Sequence, residues 1–226
     1  SLDAVSICTW PRFHAPMVED AASAGVKLIH CEKPMANSWG AAKKMAAAAK
    51  KAGAKLSFGH QRRFGEKFRK LLEVRDSGEL GEVRRMECFP PNFFDWGTHW
   101  LDLFQMVNRE VPAEWVLAAL HYGKGHKIFE VPHEDQGIMQ IKYQNGVEGS
   151  LITSGSFSGA ALRFIGTKGV VEVYWKDPAV RLWKKGPEEY AVVPVKDSSD
   201  GNVAAAIVHV VESFRAGHDS ELCSEN

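Results

Sequence analysis

Residues Asp3 to Ala36 read DAVSICTWPRFHAPMVEDAASAGVKLIHCEKPMA. A short β-branched run, Asp3 to Cys8, precedes Ala15 to Gly25, where apolar residues recur at helical spacing and a glycine suited to a helix C-cap closes the segment. Val26 to Cys31 returns to strand character. The alternation continues: Ser38 caps an Ala/Lys-rich helix ending at Gly53, and Lys55 to His60 is a third strand. Strands joined by helices of this length form βαβ units, so a parallel sheet with right-handed crossovers is expected.

Beyond that point the character changes. A helix is expected from Phe64 to about Asp76, broken by SGELGEV (Ser77 to Val83). Strand-like runs then follow at Glu82–Cys88, Trp115–Tyr122, Gly137–Ser154, Leu162–Trp175 and Val180–Lys185, with Asn145-Gly146 as a hairpin signal and Gly166-Thr167-Lys168-Gly169 as a second turn. Helices are expected over Gly97–Asn108 and near the end, Val203–Gly217. A βαβ run followed by antiparallel strands means α/β and then α+β, so two domains are expected, residues 1–62 and 63–226.

Composition narrows the partners. The 226 residues are 45% hydrophobic and 25% charged, an ordinary soluble balance. Lys+Arg and Asp+Glu are both 28, which leaves no basic field to condense onto nucleic acid or an anionic membrane. The densest basic run, Arg62 to Lys70, reads as a solvated helix face, with an anion contact as the alternative. No apolar run approaches a bilayer span, and SLDAVSICTW has neither the basic region nor the cleavage site of a signal peptide. Cys8, Cys31, Cys88 and Cys223 show no CxxC spacing, and Cys8 and Cys31 sit in apolar runs. A reduced, cytoplasmic, metal-free protein is the economical reading.

Chemistry gathers at the strand ends. In an open parallel sheet, ligands collect at the carboxyl ends of the strands. The second strand ends in Glu32-Lys33-Pro34, where proline stops the ladder and lysine can enter a cleft; a solvated strand-end lysine suits the same spacing. The first ends in Thr9-Trp10-Pro11 with His14 beyond, and the third in His60-Gln61-Arg62-Arg63. A second cluster lies in NFFDWGTHWLDLF, Asn92 to Phe104. Asp95 and His99 are four apart and share a helix face, with Asp102 roughly on it, so a carboxylate can tune an imidazole for proton transfer. The spacing equally suits Asp95 as an N-cap and His99 as a satisfied helix residue. The cluster His133-Glu134-Asp135 lacks ligand spacing and reads as a solvated loop.

Taken together, the stretch from Asp3 to Ala36, HQRRF, SGELGEV, DWGTHWLDL and FIGTKGVVEV resemble, in order, the Gfo/Idh/MocA family of NAD(P)-dependent sugar and polyol oxidoreductases. The resemblance implies the second half of a Rossmann-type parallel sheet, then a mixed, mostly antiparallel open-sheet domain with helices on one face. It implies Lys33, His99 and Asp95 as catalytic residues, and Thr9, Trp10, Pro11, His14, Glu32, Lys33, Pro34, Gln61 and Arg62 along an NAD or NADP site. Hydride transfer needs a base for the alcohol proton and a cation for developing alkoxide charge, which agrees with those roles. The family's Gly-rich phosphate turn is not found: GKGHKI from Gly123 lacks the third glycine. The chain is therefore read as a fragment cut at both ends, with Asp3–Cys8 an exposed strand edge. The resemblance also implies a homo-oligomer built on the open sheet face, with Tyr143, Leu151 and Trp175 on the face to be covered. An NAD-dependent glycoside hydrolase on the same fold, a non-catalytic ligand-binding member, and a metal hydrolase using Asp95, His99, Asp102 and His121 are the alternatives.

Overall fold

The computed structural model describes residues 2–154, 160–174, 179–184, 190–196 and 201–223. It divides into two compact units. The first comprises Ser1–Gln61, Phe129–Val131 and Val203–Asn226, and the second Arg62–Ile128 and Pro132–Asn202.

In the first unit, β1 (Ala4–Ile7), α1 (Pro11–Ser23), β2 (Leu28–Cys31), α2 (Trp39–Lys51) and β3 (Lys55–Phe58) follow in order. The strands form a parallel sheet in the order β1-β2-β3, with Ile7 opposite Cys31 and Cys31 opposite Phe58. Each helix begins where local chemistry allows. Pro11 occupies the first turn of α1, where a missing N–H costs nothing, and the Ser38 side chain accepts the Ala41 N–H to start α2. The core joins Ile7, Ile29, Met45, Leu56 and Phe58 with the small helix residues Ala15, Val18 and Ala49. Cys8, expected inside the strand, is exposed one residue past its end.

The second unit runs α3 (Glu66–Asp76), β4 (Val83–Cys88), α4 (Thr98–Val107), β5 (Ala113–His121), β6 (Lys127–Ile128), β7 (Val131–Pro132), β8 (Gln136–Tyr143), β9 (Glu148–Ser154), β10 (Ala160–Gly166), β11 (Val170–Tyr174), β12 (Val180–Trp183) and β13 (Tyr190–Val193). Eight of these strands make one sheet in the order β13-β12-β11-β10-β4-β9-β8-β5. Its pairs are antiparallel except β4 with β9. One face packs against α3 and α4 through Phe68, Leu71, Trp100, Leu103 and Phe104, which meet Met86, Leu151, Phe164 and Val171 from the strands. Two turns noticed separately in the sequence are partners: Thr167 N–H donates to Glu82 O at 3.0 Å and Lys168 N–H to Leu80 O at 3.1 Å. A Cβ at position 166 would lie 2.1 Å from Leu80 O, so only glycine permits that approach.

Two sequence expectations are corrected here. Tyr143 and Leu151 are buried in the core and do not lie on the open face. β8 and β9 carry apolar residues in both phases of the alternation, so composition alone does not choose the inward phase. The register chooses it: Leu151 pairs with Cys88, and Ile138 pairs with Ile152 on the opposite face. Trp175 lies outside the described residues. The second correction concerns the last helix, α5 (Val203–Arg215), which groups with the first unit instead of the second. The chain after it returns beside β3, where Phe58 N–H donates to Leu222 O at 3.0 Å and Ser57 bridges Cys223.

Candidate functional site

Each unit presents one cluster. In the first, the carboxyl ends of β1 and β2 carry Thr9-Trp10-Pro11 and Glu32-Lys33-Pro34. Glu32 N–H donates to Ile7 O at 2.9 Å, extending the ladder one residue past β2, and the Lys33–Pro34 bond is cis. The Glu32 carboxylate accepts from Lys33 N–H at 3.2 Å. Both its oxygens lie 3.0 Å from where a Cβ at Gly59 would be, so the glycine beyond β3 makes room for it. Trp10, 46% exposed, precedes α1, whose N-terminus has no side-chain cap. Arg12 lies over the Trp10 and Phe13 rings, 5.3 and 4.6 Å from their centroids, and pairs with Glu130.

His14 has another task. It is fully buried, with Pro34 O 2.8 Å from Nδ1 and Thr9 O 3.0 Å from Nε2. A carbonyl can only accept, so a neutral ring donates to one of them at a time. The ring staples the end of β1 to the end of β2, which holds the two motifs side by side. Behind the edge, His30 lies 3.0 Å from the Ser57 hydroxyl. Burial, with His60 adding, pulls its pKa below the ordinary value. Burial, then Glu32 and Cys8, raises the Cys31 thiol to about 12.

In the second unit the Asp95–His99 segment begins earlier than the sequence suggests. Asn92 is the cap: its side-chain oxygen accepts from Asp95 N–H at 2.8 Å and Trp96 N–H at 3.1 Å. Asp95 therefore does not cap the helix. Phe93–Gly97 forms a π turn, closed by Gly97 N–H to Asn92 O at 2.9 Å, and α4 follows directly. Such turns are rare and concentrate at functional sites. Four α-helical residues rotate by about 400°, an overshoot of about 40°. The π turn carries Asp95, and His99 is the second residue of α4. His99 is 4% exposed.

Three charged side chains brace this segment. Arg62, at the start of the second unit, is buried with its guanidinium 5.0 Å from the Trp96 ring centroid and 4.8 Å from that of Trp100. Arg63 Nε donates to both Asp102 oxygens at 2.9 Å, and Nη1 donates to Glu110 at 2.7 Å. Burial lowers the Arg63 pKa, but Asp102 and Glu110 outweigh it and hold the group above its ordinary value. Arg62 and Arg63 are thus not part of a solvated basic face. Glu134 is the third brace and corrects the solvated-loop reading: it is 3% exposed and accepts the Phe93 N–H at 2.6 Å. Beside it, Asp135 accepts from Gly123 and Lys124 N–H at 2.5 and 2.7 Å.

Sequence reasoning placed Lys33, Asp95 and His99 on the right kinds of element but missed the braces. One signal was available: Asn92 precedes an acidic residue by three positions, a helix-start signature. Among the described residues no group of three or more His, Cys, Asp or Glu side chains is placed to hold a metal ion, and no helix is long and apolar enough to cross a membrane. A cavity of 690 Å³ on the outer face of the second unit's sheet is lined by Arg163, Lys168, Tyr174, Trp183 and neighbours, none of them a site residue expected from the sequence.

A parallel βαβ layer with polar strand ends is followed by an open, mostly antiparallel sheet, with Asp95 on the π turn and His99 at the start of α4. Comparison with known proteins agrees. Residues 1–60 match the model for the oxidoreductase family with an NAD-binding Rossmann fold, and residues 91–172 match that for the GFO/IDH/MocA C-terminal domain. The chain belongs to the Gfo/Idh/MocA oxidoreductase family. It is 34% identical over 169 residues to the myo-inositol 2-dehydrogenase of Thermotoga maritima, covering 68% of this chain and 50% of that protein. It is 28% identical over 165 residues to an uncharacterised oxidoreductase of Bacillus subtilis, covering 64% of this chain and 46% of that one. The chain thus spans about half the length of each. Among solved structures, the aldose-aldose oxidoreductase of Caulobacter crescentus, complexed with glycerol, superposes with a TM-score of 0.81 at 26% identity, over 99% of this chain and 72% of that one.

Proposed function

We propose that this chain is part of an oxidoreductase that moves hydride between NAD or NADP and a hydroxyl-bearing carbon of a sugar, polyol or related compound. The observation that carries the reading is the Asp95/His99 pair, with Asp95 on a braced π turn and His99 four residues on at the start of α4, inside the segment that matches the family's C-terminal domain. The first unit supplies the cofactor side, and the second supplies substrate binding and association. The relatives support the substrate class, since one is a myo-inositol 2-dehydrogenase.

The strand-end residues fit the nicotinamide end of a dinucleotide: an exposed indole at Trp10, the uncapped start of α1, and Glu32 and Lys33 on the neighbouring strand end. Thr9, Trp10, Pro11, Glu32, Lys33, Pro34 and Gln61 are assigned to that side, with His14 positioning Thr9 and Pro34 from behind, while Arg62 serves the second unit as a brace. When bound, the nicotinamide supplies the hydride acceptor and donor. The chain's own residues do the rest. The His99 imidazole takes the proton of the substrate hydroxyl, Asp95 binds substrate and orients that ring, and the Lys33 ammonium steadies charge developing on the alkoxide oxygen.

The test is steady-state reduction of NAD and NADP by the full-length protein with a panel of inositols, aldoses and polyols. Activity is expected with at least one, and His99→Ala and Lys33→Met each lower kcat by roughly 10²- to 10⁴-fold. Glycoside cleavage without net cofactor turnover, or no turnover at all, would reject the proposal in favour of the hydrolase or the non-catalytic reading.

The same reading makes the protein a homo-oligomer through the second unit's uncovered sheet face. Trp115, Leu117 and Ile138 are exposed there, and all nine residues of β5 at the sheet edge are exposed. Sedimentation of the full-length protein at the monomer mass would overturn this. Its four free thiols suit a reducing compartment, the cytoplasm.

A further inference from the structure

The connection between β7 and β8 carries a buried carboxylate that the proposed chemistry does not use. Glu134 is more than nine-tenths buried, and its Oε1 accepts the Phe93 N–H at 2.6 Å. Phe93 is the first residue of the π turn, and its N–H is among those a helix start leaves without an internal partner. Three residues along, Gly137 is the second residue of β8, and a Cβ there would lie 2.7 Å from the Phe93 ring and 2.7 Å from Leu120 Cδ2. The segment from Glu134 to Gly137 therefore seats Phe93 twice, by its backbone at one end and its ring at the other. Asn92, just before, caps the amides of Asp95 and Trp96. A displaced Phe93 moves the turn on which Asp95 rides and the start of the helix that holds His99.

We infer that Glu134 is a positioning residue for the Asp95/His99 pair, acting as a hydrogen-bond acceptor through Phe93 and not as an acid or base. The inference rests on the oxidoreductase reading for its kinetic consequence but not for its structural one. The required chemistry is an acceptor at one place, and a glutamine side chain supplies that as well as a glutamate does.

The experiment compares Glu134→Ala, Glu134→Gln and Gly137→Ala in the full-length protein, well below the temperature of unfolding. Glu134→Ala is expected to lower kcat by roughly 10- to 100-fold with the KM for cofactor unchanged, whereas Glu134→Gln retains activity close to that of the unaltered protein. A purely structural role would lower Tm and leave kcat intact at that temperature. Amide exchange over residues 92–99, read by mass spectrometry, should quicken in Glu134→Ala and stay near the original rate in Glu134→Gln. If Glu134→Ala does not fold, Gly137→Ala pushes Phe93 from the ring side and must show the same kcat loss and faster exchange. Equal impairment of the Ala and Gln variants, or unaltered exchange in both Glu134→Ala and Gly137→Ala, overturns the inference. If the unaltered protein turns over no polyol, the oxidoreductase reading fails, and the exchange measurement alone decides the role of Glu134.

Discussion

Replacing Arg63 by methionine should be among the costliest single changes in the second unit. The guanidinium is 5% exposed and Asp102 is 13% exposed, so their contact is buried, while Glu110 at 35% still reaches water. Arg63→Met leaves a mostly buried carboxylate without the fork that faced it, and breaking a buried pair from one side costs about 3–5 kcal/mol. At roughly 2–4 °C per kcal/mol for a chain of this size, Tm should fall by roughly 6–20 °C. Asp102→Asn should cost less, because Arg63 keeps its bond to Glu110. The double variant Arg63→Met/Asp102→Leu should recover most of the loss, since apolar replacement of a whole buried pair is often neutral or stabilising. Urea unfolding followed by far-UV circular dichroism measures each, with an unchanged m-value as the sign that only stability moved. Arg84→Ala serves as the contrast: its pair with Glu82 is exposed on both sides and should cost about 0–1 kcal/mol. If Arg63→Met also costs under about 1 kcal/mol, the brace is no stronger than a surface pair and the reasoning fails.

Two further outcomes concern titratable side chains. The His30 pKa is lowered in the folded state, so below about pH 6.5 the unfolded chain binds the proton more readily and stability falls with acidification. Tm should therefore drop between neutral pH and mildly acid pH, and His30→Gln should flatten that slope; an identical slope in the variant would contradict it. Native alkylation should label exposed Cys8 and spare Cys31, whose thiol is pushed up to about 12, and Cys88, whose thiol burial raises well above its usual value. Peptide mapping that finds Cys31 labelled as fast as Cys8 would refute it.

The first unit was readable because its pattern is local. Apolar strand, amphipathic helix and glycine stop recur within a few residues of each other, and β1, β2 and β3 lie where that pattern puts them. The Asn145-Gly146 hairpin and the 166–169 turn are local as well, and both appear as expected. What stayed hidden was contact between distant residues. Nothing near Glu134 announces that its acceptor role is to the amide of Phe93, 41 residues away. Nothing in HQRRF separates an arginine stacked on indoles from one facing solvent; Trp96 and Trp100 decide it. The inward phase of β8 and β9 was likewise set by the neighbouring strand and by α4, not by their own residues.

The return of the chain beside β3 sets an order for synthesis. The first 61 residues leave the ribosome well before the segment from Val203 onward that completes their unit. At about 5–20 residues per second, the gap of roughly 140 residues lasts on the order of ten seconds. Through that interval the nascent parallel sheet waits with the flank of β3 uncovered, a window in which a chaperone has something to hold.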